Sequence, residues 1–479
     1  MARLFGVRLY GLVCVLLVAL GGVLAARMAY VTRYNVHPDE FIHVDAFCYF
    51  TSHAWLPPLD LNGLNYGPEG ESRVYGPEVV YWVYGRSANI LRPLRDRLAG
   101  LSAPAQPLGA SAEVAPRSYL PFTVGSDPLG AEQAVCLKRF LIYRLLNVAL
   151  FIFTLGIVFI VGAWHAWAAA IGMALLCLPQ VVYLYAYANS DAWALSVAIF
   201  LIVFALAEPQ PLGSWSKAVL LGALTGTVLV SKSSVWAALP LAYALIAFRL
   251  VQGRRNAGRP SPKALAWHCA AVLATALLFI APLRIVYPLS QGGHFQARLA
   301  QIREARADPG FKPSDSYIPG RMLRSKGVGL DQIVFNWQWL QDSARAFYGN
   351  FGYLTYPAPD WAYWIALSLA ILNALLTLAV LRRHWAALPA TLRLAFAMAP
   401  LVVALCVAAS MFNSWTHDFQ PQGRYLFVAA VPIALWMWGS LPWDGPRARA
   451  ARLGTAAVLL AQCAYVFWRL VLQNPGLRL

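Results

Sequence analysis

The sequence predicts an all-α polytopic membrane protein, with about eleven transmembrane helices and two extracytoplasmic loops that carry interfacial helices. Three observations carry this expectation. Hydrophobic residues fill 59% of the 479 positions, charged residues only 12%, and the mean hydropathy is +0.55, which excludes a set of soluble domains. Apolar runs near the roughly 20 residues needed to cross a bilayer recur along the chain. Basic residues gather between alternate runs, as the cytoplasmic bias of Lys and Arg requires. In a soluble protein the formal charge of +17 would point to nucleic acid. Here topology and anionic membrane lipid account for it, and no nucleic-acid partner is expected.

The apolar runs fall at about 7–31, 140–162, 166–187, 191–207, 217–231, 234–251, 264–286, 361–381, 393–412, 424–441 and 453–472. The first resembles a signal sequence, but it is long for one and Arg27 follows directly, so a retained span is favoured. Arg3 and Arg8 precede it. Arg249, Arg254, Arg255, Arg259 and Lys263 follow the sixth run, Arg382, Arg383 and Arg393 the eighth, and Arg447, Arg449 and Arg452 the tenth. With eleven spans all four clusters lie on one side, which puts the N-terminus in the cytoplasm and the C-terminus outside. The chain then reads as one membrane domain over 1–479, with outward loops at 32–139 and 288–360.

The first loop passes through Pro57-Pro58, Gly67-Pro68 and Gly76-Pro77 to an amphipathic stretch at Pro77–Leu98, rich in Tyr, Trp and Arg as the headgroup zone favours. The second holds an expected helix at Leu330–Phe347, with Ile333, Trp337, Leu340 and Phe347 as its stripe. Cys48 and Cys136 flank the first loop, and spacing leaves open whether they pair or stay free. Cys14, Cys177, Cys269, Cys406 and Cys463 lie in or beside apolar runs and read as packing residues.

Acidic residues are sparse except in Asn35–Phe50, where His37, Asp39, Glu40, His43 and Asp45 crowd together. The stretch reads as a helix start with Pro38 at the first position and Asp39 and Glu40 in the first turn. Phe41, Val44 and Cys48 then form an apolar stripe, and Asp39, Glu40 and His43 share a face. The plain alternative is an acidic cap on an interfacial helix. Asp191, Lys232, His417, Asp418 and Arg424 also fall at outward ends of spans, where ionisable groups at membrane depth are costly and often functional. Each has a local reading: Asp191 extends a helix cap, Lys232 snorkels, Arg424 pairs with Asp418, and His43 and His417 are hydrogen-bonded interface residues rather than metal ligands. Asp39, Glu40 and His43 are not spaced as HExxH, so the metal signal is weak. No GxSxG, P-loop or dinucleotide fingerprint is present, which weakens hydrolase and ATPase readings.

The landmarks, taken in order, resemble the glycosyltransferase-C (GT-C) superfamily. His37-Pro38-Asp39-Glu40 is close to the HPDE stretch of mannosyltransferases that build GPI anchors. The fuller set is similar to a bacterial family of GT-C-like polytopic membrane proteins: Pro38-Asp39-Glu40-Phe41-Ile42-His43, Asn189-Ser190-Asp191, Lys232, Phe351-Gly352-Tyr353 and Gly423-Arg424-Tyr425-Leu426. The resemblance implies a polyprenyl-phosphate-linked sugar donor and transfer to a glycan, lipid or protein on the outer face of the bacterial cytoplasmic membrane. It makes Asp39 the expected general base, with Glu40 or Asp191 orienting the acceptor. Asp39, Glu40 and Asp191 are the weakly indicated ligands of an optional divalent ion, Mg or Mn. Arg424 and Lys232 would hold the phosphate, with His43 and His417 as further substrate contacts. The rival reading is a transporter or flippase for a lipid-linked anion. A third is a structural subunit of an envelope-assembly complex.

Overall fold

The computed structural model describes the chain apart from residues 1, 33, 35, 60–63, 65, 77, 102–139, 254–260, 293, 315–321, 353 and 474–479. Pro77, Cys136, Arg254, Arg255, Arg259 and Tyr353 therefore lie outside the described residues. Within them the chain is an all-α polytopic membrane protein. The strands described are one short antiparallel pair, Asn350–Phe351 with Tyr356–Pro357.

Among the described residues eight helices are long and apolar enough to cross a membrane: Leu9–Val31, Leu141–Gly162, Ser233–Gln252, Pro262–Ser290, Asp360–Ala387, Ala390–Thr416, Gly423–Trp443 and Pro446–Leu470. The other three expected spans coincide with shorter apolar helices, Ala166–Cys177, Asp191–Ala207 and Trp215–Leu229. The run expected at 166–187 breaks at Leu178. Pro179 has no N–H to continue the helix and instead opens a short one, Pro179–Leu184. That break lets Gln180 and Tyr183 support the site described below.

Burial separates the spans. Gly423–Trp443 is 72% buried by its neighbours, against 17% for Leu9–Val31 and 11% for Pro262–Ser290. The segment bearing Arg424 thus runs through the interior, while the other two leave most of their surface to lipid. Trp215–Leu229 packs on Pro262–Ala281 through Gly222 and Gly226, where a Cβ would stand 2.5 Å from Val272 O and 2.8 Å from Ala276 O. Small residues four apart let two backbones approach closely inside a membrane. Arg452, one of the basic residues between the last two spans, is a fully buried clamp, 2.7 Å from Asp444 and hydrogen-bonded to Thr377 Oγ1 at 2.9 Å and Ser440 Oγ at 3.0 Å.

The loop helices differ from expectation in their breaks. The stretch near Pro77–Leu98 forms Val79–Ile90 and Arg92–Leu101, split at Leu91 because Pro93 follows. Glu40–Ser52 packs against Val79–Ile90 through Phe47, Tyr81 and Tyr84, and Tyr143 stacks on Phe47 from the second span. In the second loop a helix at Phe295–Arg306 had no sequence signal assigned to it, and Leu330–Phe347 is interrupted at Gln338, whose φ is 52°. Gly70 (φ +68°) joins the loops: a Cβ there would stand 2.0 Å from Arg303 O. Cys48 is disulfide-bonded, and the five packing cysteines are free.

Candidate active site

The acidic stretch does not start its helix where the pattern suggested. The helix is Glu40–Ser52, and Asp39 precedes it in the left-handed region, φ 59° and ψ 11°, with no side-chain cap. Asparagine and aspartate tolerate this conformation better than most residues, although it is strained. The kink sends neighbouring side chains in different directions rather than along one face. His37 is buried between Thr32 Oγ1 (2.8 Å) and Tyr183 OH (2.7 Å), with its ring stacked on Tyr187. Glu40 is buried against Arg144 of the second span, with Nε–Oε1 and Nη2–Oε2 both at 2.7 Å, and also accepts from Ala188 N. Asp39 alone of the three remains half-exposed.

Asn189-Ser190-Asp191 divides its work similarly. Asn189 Oδ1 accepts from Ala192 N at 2.9 Å and so caps the helix, while its Nδ2 donates to Leu184 O and Tyr187 O. Asp191 is thereby released from capping. Lys232 stands at the start of the next long span and places Nζ 2.7 Å from Asp191 Oδ1.

Arg424 joins the two halves. Its Nη2 is 3.2 Å from Asp39 Oδ2 and its Nη1 3.6 Å from Asp191 Oδ2. Gly423 brings it there: a Cβ at that position would stand 2.0 Å from Phe347 N, so only glycine lets the helix Trp339–Gly349 cross this close. Four residues spread over nearly 400 positions, Asp39, Asp191, Lys232 and Arg424, therefore form one cluster. The local Arg424–Asp418 pair considered from sequence does not form. Asp418 instead accepts from Gln420. His417 is exposed, bonded to Thr416 Oγ1, and is not brought to the cluster.

Sequence reasoning missed three neighbours. Arg73, in a short helical turn after Ser72, acts electrostatically on Asp39, Glu78 and Tyr81. Glu78 precedes the Val79–Ile90 helix beside Ser190, and Tyr81 hydrogen-bonds His43 Nδ1 at 2.9 Å. Their one signal was Glu78 and Tyr81, three apart, at the start of an aromatic helix next to an arginine turn. Burial pushes the Asp39 carboxyl up, but Arg424, with Arg73 and Lys232, outweighs this and holds it below its ordinary range. Burial, reinforced by Arg73, Lys232 and Arg424, holds His43 neutral well below the usual imidazole value. Burial dominates at Glu78 and pushes its carboxyl up despite Lys232 and Arg73.

A cavity of about 80 Å³ adjoins Arg424, lined among others by Pro38, Tyr183, Tyr187, Asn350, Gly352 and Gln422. The proposed metal set does not fit a divalent ion. Both Glu40 oxygens are held by Arg144, and Asp39 and Asp191 each face a cation. Among the described residues no group of three His, Cys, Asp or Glu is arranged to hold one.

No curated protein matches the chain. Among solved structures it is similar to the crystal structure of ArnT from Cupriavidus metallidurans in the apo state, at 15% identity and a TM-score of 0.33, over 92% of this chain and 79% of that one. The family model described as "Predicted membrane protein (DUF2142)" matches residues 115–437, well over half of the sequence and including Asp191, Lys232 and Arg424. The chain therefore belongs to the DUF2142 family of membrane proteins.

Proposed function

We propose that the protein is a GT-C-type glycosyltransferase that moves a sugar from a polyprenyl-phosphate donor to an acceptor hydroxyl on the outer face of the bacterial cytoplasmic membrane. One observation carries the reading. Arg424 is shared by Asp39 and Asp191, yet its Nε makes no hydrogen bond among the described residues. Buried donors without partners are costly, and a phosphate oxygen is the acceptor a guanidinium fork matches best. Lys232 supplies a second positive charge beside it.

In this reading the acceptor oxygen attacks the sugar's anomeric carbon and its proton passes to Asp39. The carbon–oxygen bond to the phosphate breaks, and the electron pair leaves on the phosphate, whose charge Arg424 and Lys232 balance. While Arg424 holds Asp39, the carboxylate is a weak base. A phosphate bound through Nε and Nη2 competes with Asp39 for the guanidinium and loosens that pair, so donor binding strengthens the base. Glu40 acts as an anchor through Arg144 rather than at the reacting atoms. The disulfide at Cys48 suits an oxidising, extracytoplasmic loop.

The test is sugar transfer by the purified full-length protein in liposomes, with a panel of polyprenyl-phosphate hexoses and pentoses. Asp39→Asn is expected to cut turnover on the order of 10²–10⁴-fold, and Arg424→Ala to weaken donor use as well. Full turnover in Asp39→Asn would remove the base and with it the reading.

A further inference from the structure

We propose that His43, Glu78, Tyr81 and Ser190 form the acceptor subsite, and that the acceptor is a sugar presenting neighbouring hydroxyl groups. The proposal rests on the transfer reading above but concerns residues that it leaves unused.

The observation is a patch of buried polar atoms without hydrogen-bond partners among the described residues: His43 Nε2, Arg73 Nε and Glu78 Oε2, with the Ser190 hydroxyl beside them. They belong together. His43 Nδ1 bonds Tyr81 OH at 2.9 Å, Ser190 is within bonding reach of both Tyr81 and Glu78, and Arg73 neighbours Glu78 and Asp39. Folded proteins rarely leave several such atoms in one place, because each loses water and gains nothing. A ligand that satisfies them is the economical explanation.

The atoms also select the ligand. A carboxylate oxygen accepts only, a guanidinium nitrogen donates only, and a hydroxyl does both. The neutral His43 ring offers one or the other at Nε2, depending on which way the Tyr81 bond runs. A phosphate satisfies the donors but meets Glu78 with like charge. An amine satisfies Glu78 but meets Arg73. A hydrocarbon tail satisfies none. Adjacent hydroxyls donate to the carboxylate and accept from Arg73 and Ser190 together. A site built to bond hydroxyls discriminates strongly against analogues that lack them. Asp39 and Arg73 are the partly exposed members of this group, with side chains 32% and 27% exposed, so an acceptor held here lies next to the proposed base.

The full-length protein in liposomes, saturated with polyprenyl-phosphate sugar, would be given methyl glycosides of glucose, galactose and mannose, with cyclohexanol as the single-hydroxyl control. Wild type should use at least one glycoside with a KM tenfold or more below that of cyclohexanol. Glu78→Gln and Ser190→Ala should each raise the glycoside KM about tenfold, leaving the donor KM and the cyclohexanol KM unchanged. Equal KM for glycoside and cyclohexanol in wild type, or a variant that raises only the donor KM, would overturn the subsite. If no transfer occurs, the enzyme reading fails while the subsite is still read by thermal shift. Stabilisation by a methyl glycoside in wild type and its loss in both variants supports the subsite, and no stabilisation in wild type overturns it.

Discussion

His37, Asp39 and Glu40 stand within four positions and meet three environments. His37 and Glu40 are wholly buried and fully bonded, one between Thr32 and Tyr183, the other against Arg144. Asp39, thrown outward by its left-handed backbone, is the one left to face the cations. Composition makes the three look alike, and hydrogen-bond partners make them different. Glu40→Gln strands the Arg144 charge inside the protein, a change that costs about 3–5 kcal/mol. The expected result is a large fall in thermal midpoint in detergent, or failure to accumulate in the membrane. Asp39→Asn leaves Arg424 its pairing with Asp191 and should lower stability less than Glu40→Gln, so its loss of transfer separates from unfolding. Because Asp39 and Asp191 face cations and Glu40 is taken, transfer should survive chelation by EDTA. A tenfold loss restored by Mg or Mn would contradict that arrangement.

At the scale of elements, close backbone crossings place the charged residues. Gly423 lets Trp339–Gly349 pass over the start of the Arg424 segment, and Gly70 lets the two loops touch. Gly423→Ala must move backbone against backbone, since its Cβ would also stand 2.2 Å from Ala346 C. It should lower the thermal midpoint by an amount corresponding to about 1–3 kcal/mol and reduce transfer together with it. Gly454→Ala, with nothing within 4 Å of the new Cβ, is the control and should leave both unchanged. A harmless Gly423→Ala would mean that the crossing does not position Arg424. Here sequence periodicity found the long apolar helices and missed the breaks at Leu91, Leu178 and Gln338. Pro93 and Pro179 explain two of these. At Gln338 nothing in the local residues announces a left-handed turn.

Across the whole molecule, several polar groups among the described residues of the membrane interior bond to one another. Thr154, Ser196 and Tyr185 form one chain, Asn373 and Thr455 another, and Arg452 is enclosed by Asp444, Thr377 and Ser440. This arrangement argues for a fixed scaffold beneath the loops. The buried histidines give it a pH dependence. Burial holds His37 and His43 well below their ordinary value of 6.5, so they stay neutral when folded and take up protons when unfolded. Below about pH 6.5 the unfolded chain binds more protons, and stability falls as pH falls, by at most about 1.4 kcal/mol per pH unit for each histidine. Thermal midpoints in detergent should decline between pH 6.5 and 5, and His43→Asn should flatten the slope. A flat profile in wild type would mean that both rings charge freely in the folded protein.

The residues in linear order already committed the chain to a membrane, to its apolar segments and to a short roster of charged candidates. Those properties come from hydropathy and local spacing, which need no neighbours. Which candidates meet was a matter for the packing. Asp39 found Arg424, Arg424 found Asp191, and His417 was left outside, because contacts across hundreds of residues depend on how helices cross. The same holds for Arg73, Glu78 and Ser190, ordinary in the sequence and distinctive only once the fold has gathered them around Tyr81.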